Sequence, residues 1–345
     1  MRCAVLVLLV VAMVPPRLAA ADTLTEVHYV MGTYLRITAS HPEKSQARAA
    51  MRQCFAAARR FDALFSRFDP NSELSRLNAS AALRVAIGPD MAALLARALQ
   101  LEAATDGTFD VSAGALTALW RNASRWPSQR RINAARQLAG AGALTLRGGL
   151  LLRRRGTLVE LDGIAKGWAV DRCAALLHAS GIRHALLSFG ESSQYALGAP
   201  PGVPGWPVLL RGLDPRRALG TLRLRNQALS VSTVFGHAHE VGATRVGHII
   251  DPRRGLPLTA PAMAVVVAPS ATDAEAFSKA LLIHAARGDR LSPLHPEGDA
   301  MLPQGERSIT GALLVRPEGW QRMGRLPFLP FDGARPIAAS AEPLR

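Results

Sequence analysis

Apolar residues recur along this chain with two periods, that of a helix in some segments and that of a strand in others. Helical spacing is found over residues 42–65, 89–104, 166–180 and 273–286. Alternating or continuous apolar runs predict strands over residues 27–39 (interrupted at 31–33), 157–161, 185–189, 208–212, 219–224, 228–233 and 262–268. Because the two kinds of segment do not alternate regularly, the pattern predicts an α+β or α/β fold, and we favour α+β. We expect a mixed sheet core with packed helices rather than a regular doubly wound sheet.

The two ends of the chain differ from the rest. Residues 1–21 have a positive start, an apolar run over residues 4–14 and Ala19-Ala20-Ala21 as a cleavage site, which together predict a secretory signal peptide. The apolar run is too short to span a membrane, and no cysteine lies at the predicted cleavage point for lipid attachment. We therefore expect export to a bacterial periplasm without a lipid anchor or membrane span. A domain over residues 22–326 and a disordered tail over 327–345 complete the predicted organisation.

Composition limits the classes of partner. The chain has 345 residues, a formal net charge of +15 and 49% hydrophobic residues, enough for a sizeable core. Such a charge attracts anionic partners, but the arginines are scattered and aromatic residues make up only 5%, so we predict no nucleic-acid partner. Cys3 would leave with the signal peptide. Cys54 and Cys173 lie in predicted helices, where we expect two buried thiols rather than a disulfide.

The segment from Leu161 to Asp171 joins a predicted strand to a predicted helix through a turn that contains Gly163. Lys166 lies where the helix begins. The first turn of a helix has unpaired N–H groups, and the lysine adds a full positive charge, so this turn suits an anionic group such as a phosphate. The alternative is a tight turn with a solvated lysine, because short matches of this kind are common.

A second candidate is His248, in the segment 248–252. Imidazole changes its charge near neutral pH and is therefore a candidate general base. The alternative is a structural histidine on a strand. We expect Asp251 to hold the turn at Pro252 rather than to act in catalysis. His237 and His239 would share one face of a strand without a third ligand, so we interpret them as loop surface.

Six motifs follow one another in an order that is more informative than any one of them. They are Met-Gly-Thr at 31–33, Phe-Ser-Arg-Phe at 65–68 continuing to Asn78, Gly-Thr-Phe-Asp-Val at 107–111, Ile-Ala-Lys-Gly at 164–167, His-Ile-Ile-Asp-Pro-x-x-Gly at 248–255, and an acidic helix near residue 275. In this order they resemble the ApbE family, the FAD:protein FMN transferases. The resemblance covers about residues 27–326 and implies an ApbE-like fold, with halves that resemble the T-fold.

Members of this family use FAD and magnesium to attach FMN, through its phosphate, to a threonine or serine of a partner protein. The resemblance therefore implies FAD as the substrate, Mg²⁺ as the metal and an exported flavoprotein as the acceptor. The implied FAD-binding residues are Met31, Phe68, Thr108, Phe109, Asp110, Asp162, Lys166, Trp168, His248 and Ile250. His248 and Lys166 would be catalytic. Phe68 replaces a tyrosine that stacks on the flavin in many members, and a phenyl ring can stack without the hydroxyl group.

The implied metal site departs from the family pattern. In members of the family the last motif resembles Ala-Asp-Ala-x-(Ser/Asp)-Thr-Ala, and its Asp and Thr side chains bind magnesium. A backbone carbonyl at the position of Ala165 is a further ligand. This chain has Glu275, Ser278 and Lys279 in the last motif. The ammonium of Lys279 stands where a metal ligand belongs and would compete with Mg²⁺, which requires compact oxygen coordination.

Two further segments, 188–192 and 230–233, replace the Gly-Gly-Asp and Thr-Ser-Gly of the family. Three hypotheses follow from these departures. The chain is an active FMN transferase with an altered metal site, or an FAD-binding or FAD-hydrolysing relative without protein flavinylation, or a noncatalytic accessory protein. We favour the first on the strength of the resemblance.

Overall fold

A computed structural model describes residues 23–289 and 309–333, which form seven helices and eighteen strands. The helices are α1 Lys44–Phe65, α2 Glu73–Ala79, α3 Pro89–Ala104, α4 Gly114–Arg121, α5 Gln129–Arg136, α6 Ala165–Ala179 and α7 Ala271–Arg287. The strands are β1 Thr23–Val30, β2 Thr33–Ser40, β3 Arg84–Ala86, β4 Leu144–Arg147, β5 Leu150–Arg153, β6 His184–Phe189, β7 Ser193–Leu197, β8 Trp206–Arg211, β9 Ala218–Leu224, β10 Gln227–Thr233, β11 His239–Val241, β12 Thr244–Val246, β13 Ile250–Asp251, β14 Leu256–Pro257, β15 Met263–Ala268, β16 Gly311–Arg316, β17 Gly319–Gly324 and β18 Phe328–Pro330.

The main sheet has eight strands in the order β1-β2-β6-β7-β10-β15-β16-β17. Each neighbouring pair in this sheet is antiparallel. The α+β class is therefore confirmed, but the prediction of a mixed sheet is wrong. The reason is that short turns join β1 to β2, β6 to β7 and β16 to β17, and a short turn allows only antiparallel pairing.

Helices α1, α6 and α7 cover one face of the main sheet, and the small sheet β18-β9-β8 covers the other. Strand β15 is buried along its whole length because both of its faces are covered. Ala264 and Val266 belong to the core under the helices, whereas Val265 and Val267 belong to the core under the small sheet. This two-sided burial explains why the sequence of β15 is continuously apolar instead of alternating.

The predicted strand over residues 157–161 is wrong. The segment is extended, but its only β-pairing is an isolated bridge between Leu158 and Ala113. The side chain of Asn78 binds both backbone groups of Val159, at 2.8 Å to the N–H and 2.8 Å to the carbonyl oxygen. A side chain thus takes the hydrogen bonds that a neighbouring strand would need.

The ends of the chain are described only in part. Residues 328–330 form β18, which pairs with β9, so the prediction of disorder is wrong for them. Phe328 is buried in the core under the small sheet, and this burial orders the segment. The predicted signal peptide and residues 334–345 lie outside the described residues. No helix in the described ranges is long and apolar enough to cross a membrane.

The two cysteines of the described chain are free and buried, as the sequence predicts. Cys54 lies on α1 and Cys173 lies on α6. Each thiol donates to the carbonyl oxygen of the other residue, at 3.4 Å from Cys54 and 3.5 Å from Cys173. The pair therefore helps to fix α1 against α6, the helix whose start carries Lys166.

Candidate active site

The site lies where the N-terminal ends of α6 and α7 meet. Gly167, in the first turn of α6, allows this approach because a Cβ atom at that position would lie 2.5 Å from the carbonyl oxygen of Ala271. Asp171 then binds the start of α7, accepting from the N–H groups of Ala271 at 2.7 Å and Thr272 at 2.9 Å. Burial raises the pKa of Asp171 to about 6, although these hydrogen bonds oppose the rise.

Charged side chains from both helices converge on the turn before α6. Glu275 and Lys279 lie one turn apart on the same face of α7. The Cε atom of Lys279 lies 3.8 Å from the position that a Cβ atom would take on Gly163, so this lysine extends over the turn. Lys166 is close enough to both side chains to change their pKa values. The site therefore combines two ammonium groups with one carboxylate.

Glu275 is buried and is held ionised by these lysines. Burial alone would raise its pKa, but the positive charges of Lys279 and Lys166 keep the pKa below its ordinary value. One carboxylate oxygen accepts a hydrogen bond from the hydroxyl of Ser193. The other oxygen, Oε2, is buried and has no hydrogen-bond partner among the described residues. A buried carboxylate oxygen of this kind requires a cationic neighbour.

Lys279 responds to the same neighbours with the opposite sign. Burial lowers the pKa of its ammonium to about 8, Glu275 opposes this fall and Lys166 adds to it. Lys279 therefore carries its charge through most of its population at neutral pH.

Ser278 faces the sheet rather than a free space. Its hydroxyl donates to the carbonyl oxygen of Glu275 at 2.9 Å. The hydroxyl groups of Ser232, at 2.7 Å, and Ser230, at 3.1 Å, then occupy its two acceptor positions. Segment 230–233 departs from the family pattern, and its two serines both bind Ser278.

His248 lies near both lysines and is exposed at the surface of the site. Desolvation of the ring by the surrounding protein, followed by the positive potential of His237, Lys279 and Lys166, lowers the pKa of His248 to about 4, against the effect of a hydrogen bond to Val234. The rings of His237 and His248 meet edge to face, with centroids 5.4 Å apart. The imidazole of His248 is therefore neutral at neutral pH and able to accept a proton. His237 is exposed as predicted, but its contact with His248 was not foreseen.

Phe68 and Asp162 lie at the mouth of the site and are joined by Arg67. The guanidinium of Arg67 lies 3.9 Å from the ring centroid of Phe68, and its Nε donates to Asp162 at 2.6 Å. Arg121 lies 3.7 Å from the same carboxylate and bonds to Glu160 at 2.9 Å. Phe68 is 78% exposed, so its ring is accessible for stacking. Neither arginine was predicted from the sequence, although Arg67 lies inside the motif at residues 65–68.

Met31 lies in the tight turn between β1 and β2. Its φ angle is +50° and that of Gly32 is +75°, the combination that a two-residue hairpin turn requires. The N–H of Met31 donates to Asp62 at 3.0 Å, which fixes the turn to α1. A left-handed conformation is costly for methionine, and such strain is concentrated at functional sites.

The motif at residues 107–111 divides into two parts. Thr108 and Phe109 are buried, and the Phe109 ring lies 3.5 Å from the position of a Cβ atom on Gly163, next to Lys279. Asp110 points elsewhere, because it accepts from the N–H groups of Ser112 at 2.7 Å and Gly140 at 2.8 Å. Its observed role is therefore to shape a loop.

The remaining predicted residues lie on the elements that frame the site. Trp168 is buried in the first turn of α6, with the guanidinium of Arg172 4.5 Å from its ring centroid. Ile250 is half-buried at the start of β13. Asp251 holds the following turn, as predicted, by accepting from the N–H groups of Arg253 at 2.9 Å and Arg254 at 3.0 Å. His239 begins β11, is half-buried and bonds to the Trp120 carbonyl oxygen at 3.0 Å, so the interpretation as loop surface is wrong for it.

A cleft of about 740 Å³ lies between the end of α3 and the glycine-containing loop at residues 140–142, and Asp110 is the predicted site residue that lines it. Its acidic lining residues are Glu102, Asp106 and Asp110. Burial, assisted by the charge of Asp110, raises the pKa of Glu102 to about 7. The carboxyl group of Glu102 therefore titrates near neutral pH in the folded chain.

Glu102→Gln should make the chain more stable above neutral pH. Because the folded-state pKa is raised, the stability that Glu102 contributes is present at low pH and is lost as pH rises through about 7. At about pH 8 the variant should exceed the parent by up to roughly 3 kcal/mol, and near pH 4 the difference should vanish. Urea unfolding at both pH values measures this. Asp106→Asn, at an exposed carboxylate, is the matched control, and an unchanged pH dependence in Glu102→Gln would contradict the assignment.

The sequence profile of the ApbE family matches residues 31–299. This chain belongs to the ApbE family. A protein of Rhodobacter capsulatus named FAD:protein FMN transferase is 32% identical over 275 residues, which cover 77% of this chain and 52% of that protein. A protein of Escherichia coli K12 with the same name is 27% identical over 235 residues, which cover 64% of this chain and 67% of the relative. The match thus spans about half of the first relative's length.

Solved ApbE structures have the same fold. The crystal structure of the ApbE protein from Thermotoga maritima superposes with a TM-score of 0.76 and 23% identity, covering 88% of this chain and 97% of that one. The flavin transferase ApbE from Vibrio cholerae gives a TM-score of 0.72 and 23% identity, covering 90% and 100%. The ApbE-like fold that the motifs imply is therefore confirmed, while the resemblance of its halves to the T-fold stays a prediction.

Proposed function

We propose that this ApbE protein is an FAD:protein FMN transferase, which moves FMN from FAD to a threonine or serine of an exported partner protein in the periplasm. The observation that carries the proposal is the convergence of Lys166, Lys279 and a neutral His248 on the turn before α6. A helix N-terminus with two ammonium groups suits a diphosphate. The names of the relatives support the same reaction, and the predicted signal peptide supports the location.

The reaction is a phosphoryl-group transfer. The hydroxyl oxygen of the acceptor attacks the phosphorus atom of the FMN half of FAD, and the bond from that phosphorus to the bridging oxygen breaks. AMP leaves with the bridging oxygen and its electron pair, and the acceptor keeps FMN as a phosphodiester. The proton of the acceptor hydroxyl passes to an imidazole nitrogen of His248. Lys166 and Lys279 stabilise the negative charge that develops on the phosphate oxygens.

The lowered pKa of His248 fits this role. With a pKa of about 4 in the free protein, the imidazole is unprotonated at neutral pH. The negative charge of a bound diphosphate raises the pKa towards the range in which a general base is most effective. Binding of the substrate therefore prepares the base.

The flavin ring has candidate contacts on the opposite side of the site. The exposed ring of Phe68 offers a stacking surface, and the turn at Met31 and the ring of Phe109 offer apolar contacts. Arg67 holds both Phe68 and Asp162, so we assign it to the support of the flavin site.

The family's magnesium ion is a poor fit to these residues. The donors at the expected positions are the Glu275 carboxylate, the Ser278 hydroxyl and the Ala165 carbonyl. Both acceptor positions of Ser278 are occupied by other serines, and the ammonium of Lys279 lies over the same turn. Mg²⁺ needs six oxygen ligands close to octahedral geometry. Magnesium therefore stays an expectation from the resemblance.

The proposal is tested by incubating the purified protein with FAD and exported candidate acceptors. Flavin fluorescence that stays with an acceptor band in a denaturing gel is the expected result. Free FMN without a labelled acceptor would favour the FAD-hydrolysing alternative. A protein that neither binds nor consumes FAD would favour the accessory alternative.

Lys166→Ala should weaken FAD binding by about 1.5–3 kcal/mol, the contribution of a hydrogen bond to a charged group. This corresponds to roughly a 10- to 150-fold rise in the Kd. Titration of FAD against both proteins measures it. Lys44→Ala is the matched control, because Lys44 is exposed at the start of α1. Equal affinities of the parent and Lys166→Ala would exclude a phosphate-binding role for this lysine.

A further inference from the structure

We propose that the Lys279 ammonium, which extends over the Gly163 turn one helical turn from Glu275, serves as a resident cation for the FAD diphosphate, so that FAD binding to this chain does not require a divalent metal ion. The inference rests on the proposed function, because FAD is taken as the substrate. It goes further by assigning to a side chain a charge that the family draws from magnesium.

The position of Lys279 is the first argument. Its Cε atom lies beside the Phe109 ring, above the turn from Gly163 to Lys166, which is the part of the site that we assign to the phosphates. The ammonium therefore stands in the site and not at the outer surface of α7. The chain contains three lysines, at 44, 166 and 279, and uses arginine at nearly every other basic position. Two of the three lysines thus meet at this one turn.

Glu275 gives the second argument. It is 1% exposed, and its Oε2 atom is buried without a hydrogen-bond partner in the described part of the chain. A glutamate four residues before a lysine on a helix is oriented to attract its ammonium. In the described part of the chain no carboxylate lies within ion-pair distance of the Lys279 ammonium, so its three N–H donors are available to a ligand and, after a small rotation of the side chain, to Glu275. One donor can bind Oε2 while the others bind phosphate oxygens.

The hydroxyl cluster below Glu275 gives the third argument. Ser193 binds Glu275, and Ser230 and Ser232 bind Ser278. These contacts fix the carboxylate through Oε1 and surround the Ser278 hydroxyl, which leaves Oε2 as the free side-chain oxygen. A metal ion that used Ser278 would have to displace other serines, and one at Oε2 would have to approach the Lys279 ammonium, which repels it. The Lys279 ammonium can act as the cation without displacing the serines and without a second cation beside it.

The charge of the site matches the ligand. Lys166 and Lys279 contribute two positive charges and Glu275 one negative charge, and the start of α6 adds its partial positive charge. A diphosphate diester carries two negative charges. The lysine pair and the helix can therefore compensate a large part of the ligand's charge in a partly buried setting, where electrostatic interactions are stronger than in bulk water.

The test compares FAD affinity in EDTA with affinity in saturating Mg²⁺. For the native protein we expect the two Kd values to agree to within about threefold. Lys279→Met removes the charge and keeps the length of the side chain, and in EDTA its Kd should rise by roughly 10- to 100-fold. Lys279→Arg should keep most of the affinity because it retains a positive charge. Lys44→Met is the matched control and should bind like the native protein.

A spectroscopic measurement separates a lost charge from a lost fold. When the native protein is mixed with FAD and Mn²⁺, the electron paramagnetic resonance signal of Mn²⁺ should be the same as in a protein-free mixture of FAD and Mn²⁺. With the double variant Lys279→Thr/Glu275→Asp it should broaden as the ion enters the restored site. Circular dichroism checks that each variant is folded. If Lys279→Met does not fold, the FAD affinity of the native protein in EDTA and in Mg²⁺, together with its Mn²⁺ signal, decides between the outcomes.

The outcomes separate the two proposals. FAD binding that requires Mg²⁺, or tight binding of Mn²⁺ by the native protein with FAD, would overturn the resident-cation inference and leave the transferase proposal standing. An absence of FAD binding under both conditions would contradict the proposed function itself. Binding in EDTA that depends on the charge at position 279 is the result that we expect.

Discussion

His248→Ala is expected to reduce the rate of FMN transfer by about 10²- to 10⁴-fold, the contribution of a positioned general base. FAD affinity should change by less than about tenfold, because the phosphate charge is compensated by the lysines and not by a neutral imidazole. Single-turnover transfer to an acceptor measures the rate, and flavin fluorescence measures binding. Loss of transfer with retained binding distinguishes a base from a residue that only holds the substrate.

The pH dependence provides an independent measurement of the same group. Since the base must be unprotonated and the pKa of His248 in the free protein is about 4, kcat/KM should fall in acid and be flat up to neutral pH. It should fall again in alkali as the Lys279 ammonium, with a pKa of about 8, loses its charge. His237→Ala is the control, because it removes the neighbouring ring and a positive potential that lowers this pKa. It should move the acid limb to higher pH and keep most of the rate. An unchanged transfer rate in His248→Ala would contradict the assignment.

The second large effect is expected on the free energy of unfolding, from loss of the buried ion pair between Arg287 and Asp251. Arg287 binds the carboxylate of Asp251 through two hydrogen bonds, from Nε at 2.7 Å and from the NH2 nitrogen at 2.5 Å. Their side chains are 8% and 3% exposed, so removal of one partner leaves a buried charge. Arg287→Ala should therefore lower the free energy of unfolding by about 3–5 kcal/mol. Asp251→Ala should cost at least as much, because it also releases the turn at Arg253.

Urea unfolding of these variants beside Arg254→Ala tests this account. Arg254 lies 3.9 Å from the same carboxylate, but it is 56% exposed, so its loss should cost less than about 1 kcal/mol. Burial would raise the pKa of Asp251, but Arg287 and the turn N–H groups keep it below its ordinary value. The stabilisation is thus present at neutral pH and is lost as acid protonates Asp251. Equal losses in Arg254→Ala and Arg287→Ala would contradict the account.

The sequence predicted the helices better than the strands. The helices predicted over residues 89–104 and 166–180 agree with α3 and α6, since apolar periodicity and bounding proline or glycine residues act locally. The strand predicted over residues 157–161 failed because Asn78, far away in the sequence, binds its backbone. Strand β7 was missed because its alternation is weak and its pairing with β6 and β10 supplies the order.

The site was predicted in part for a similar reason. The order of the motifs identified Lys166, His248 and Glu275, and the fold brings these residues together. Arg67 could have been found inside its motif, because an arginine beside an exposed aromatic residue is a common stacking pair. The contacts of Ser193 with Glu275 and of Ser230 with Ser278 depend on how α7 packs on the sheet. No local pattern in the sequence carries that information.

The central claim is transfer of FMN to a protein, and the most direct measurement follows both products of one reaction. The purified chain is incubated with FAD and an exported flavoprotein acceptor, and AMP release is compared with the mass increase of the acceptor. We predict one AMP for each FMN attached through a phosphodiester to a threonine or serine, with both products lost in His248→Ala. AMP release accompanied only by free FMN, with an acceptor of unchanged mass, would contradict the transferase assignment.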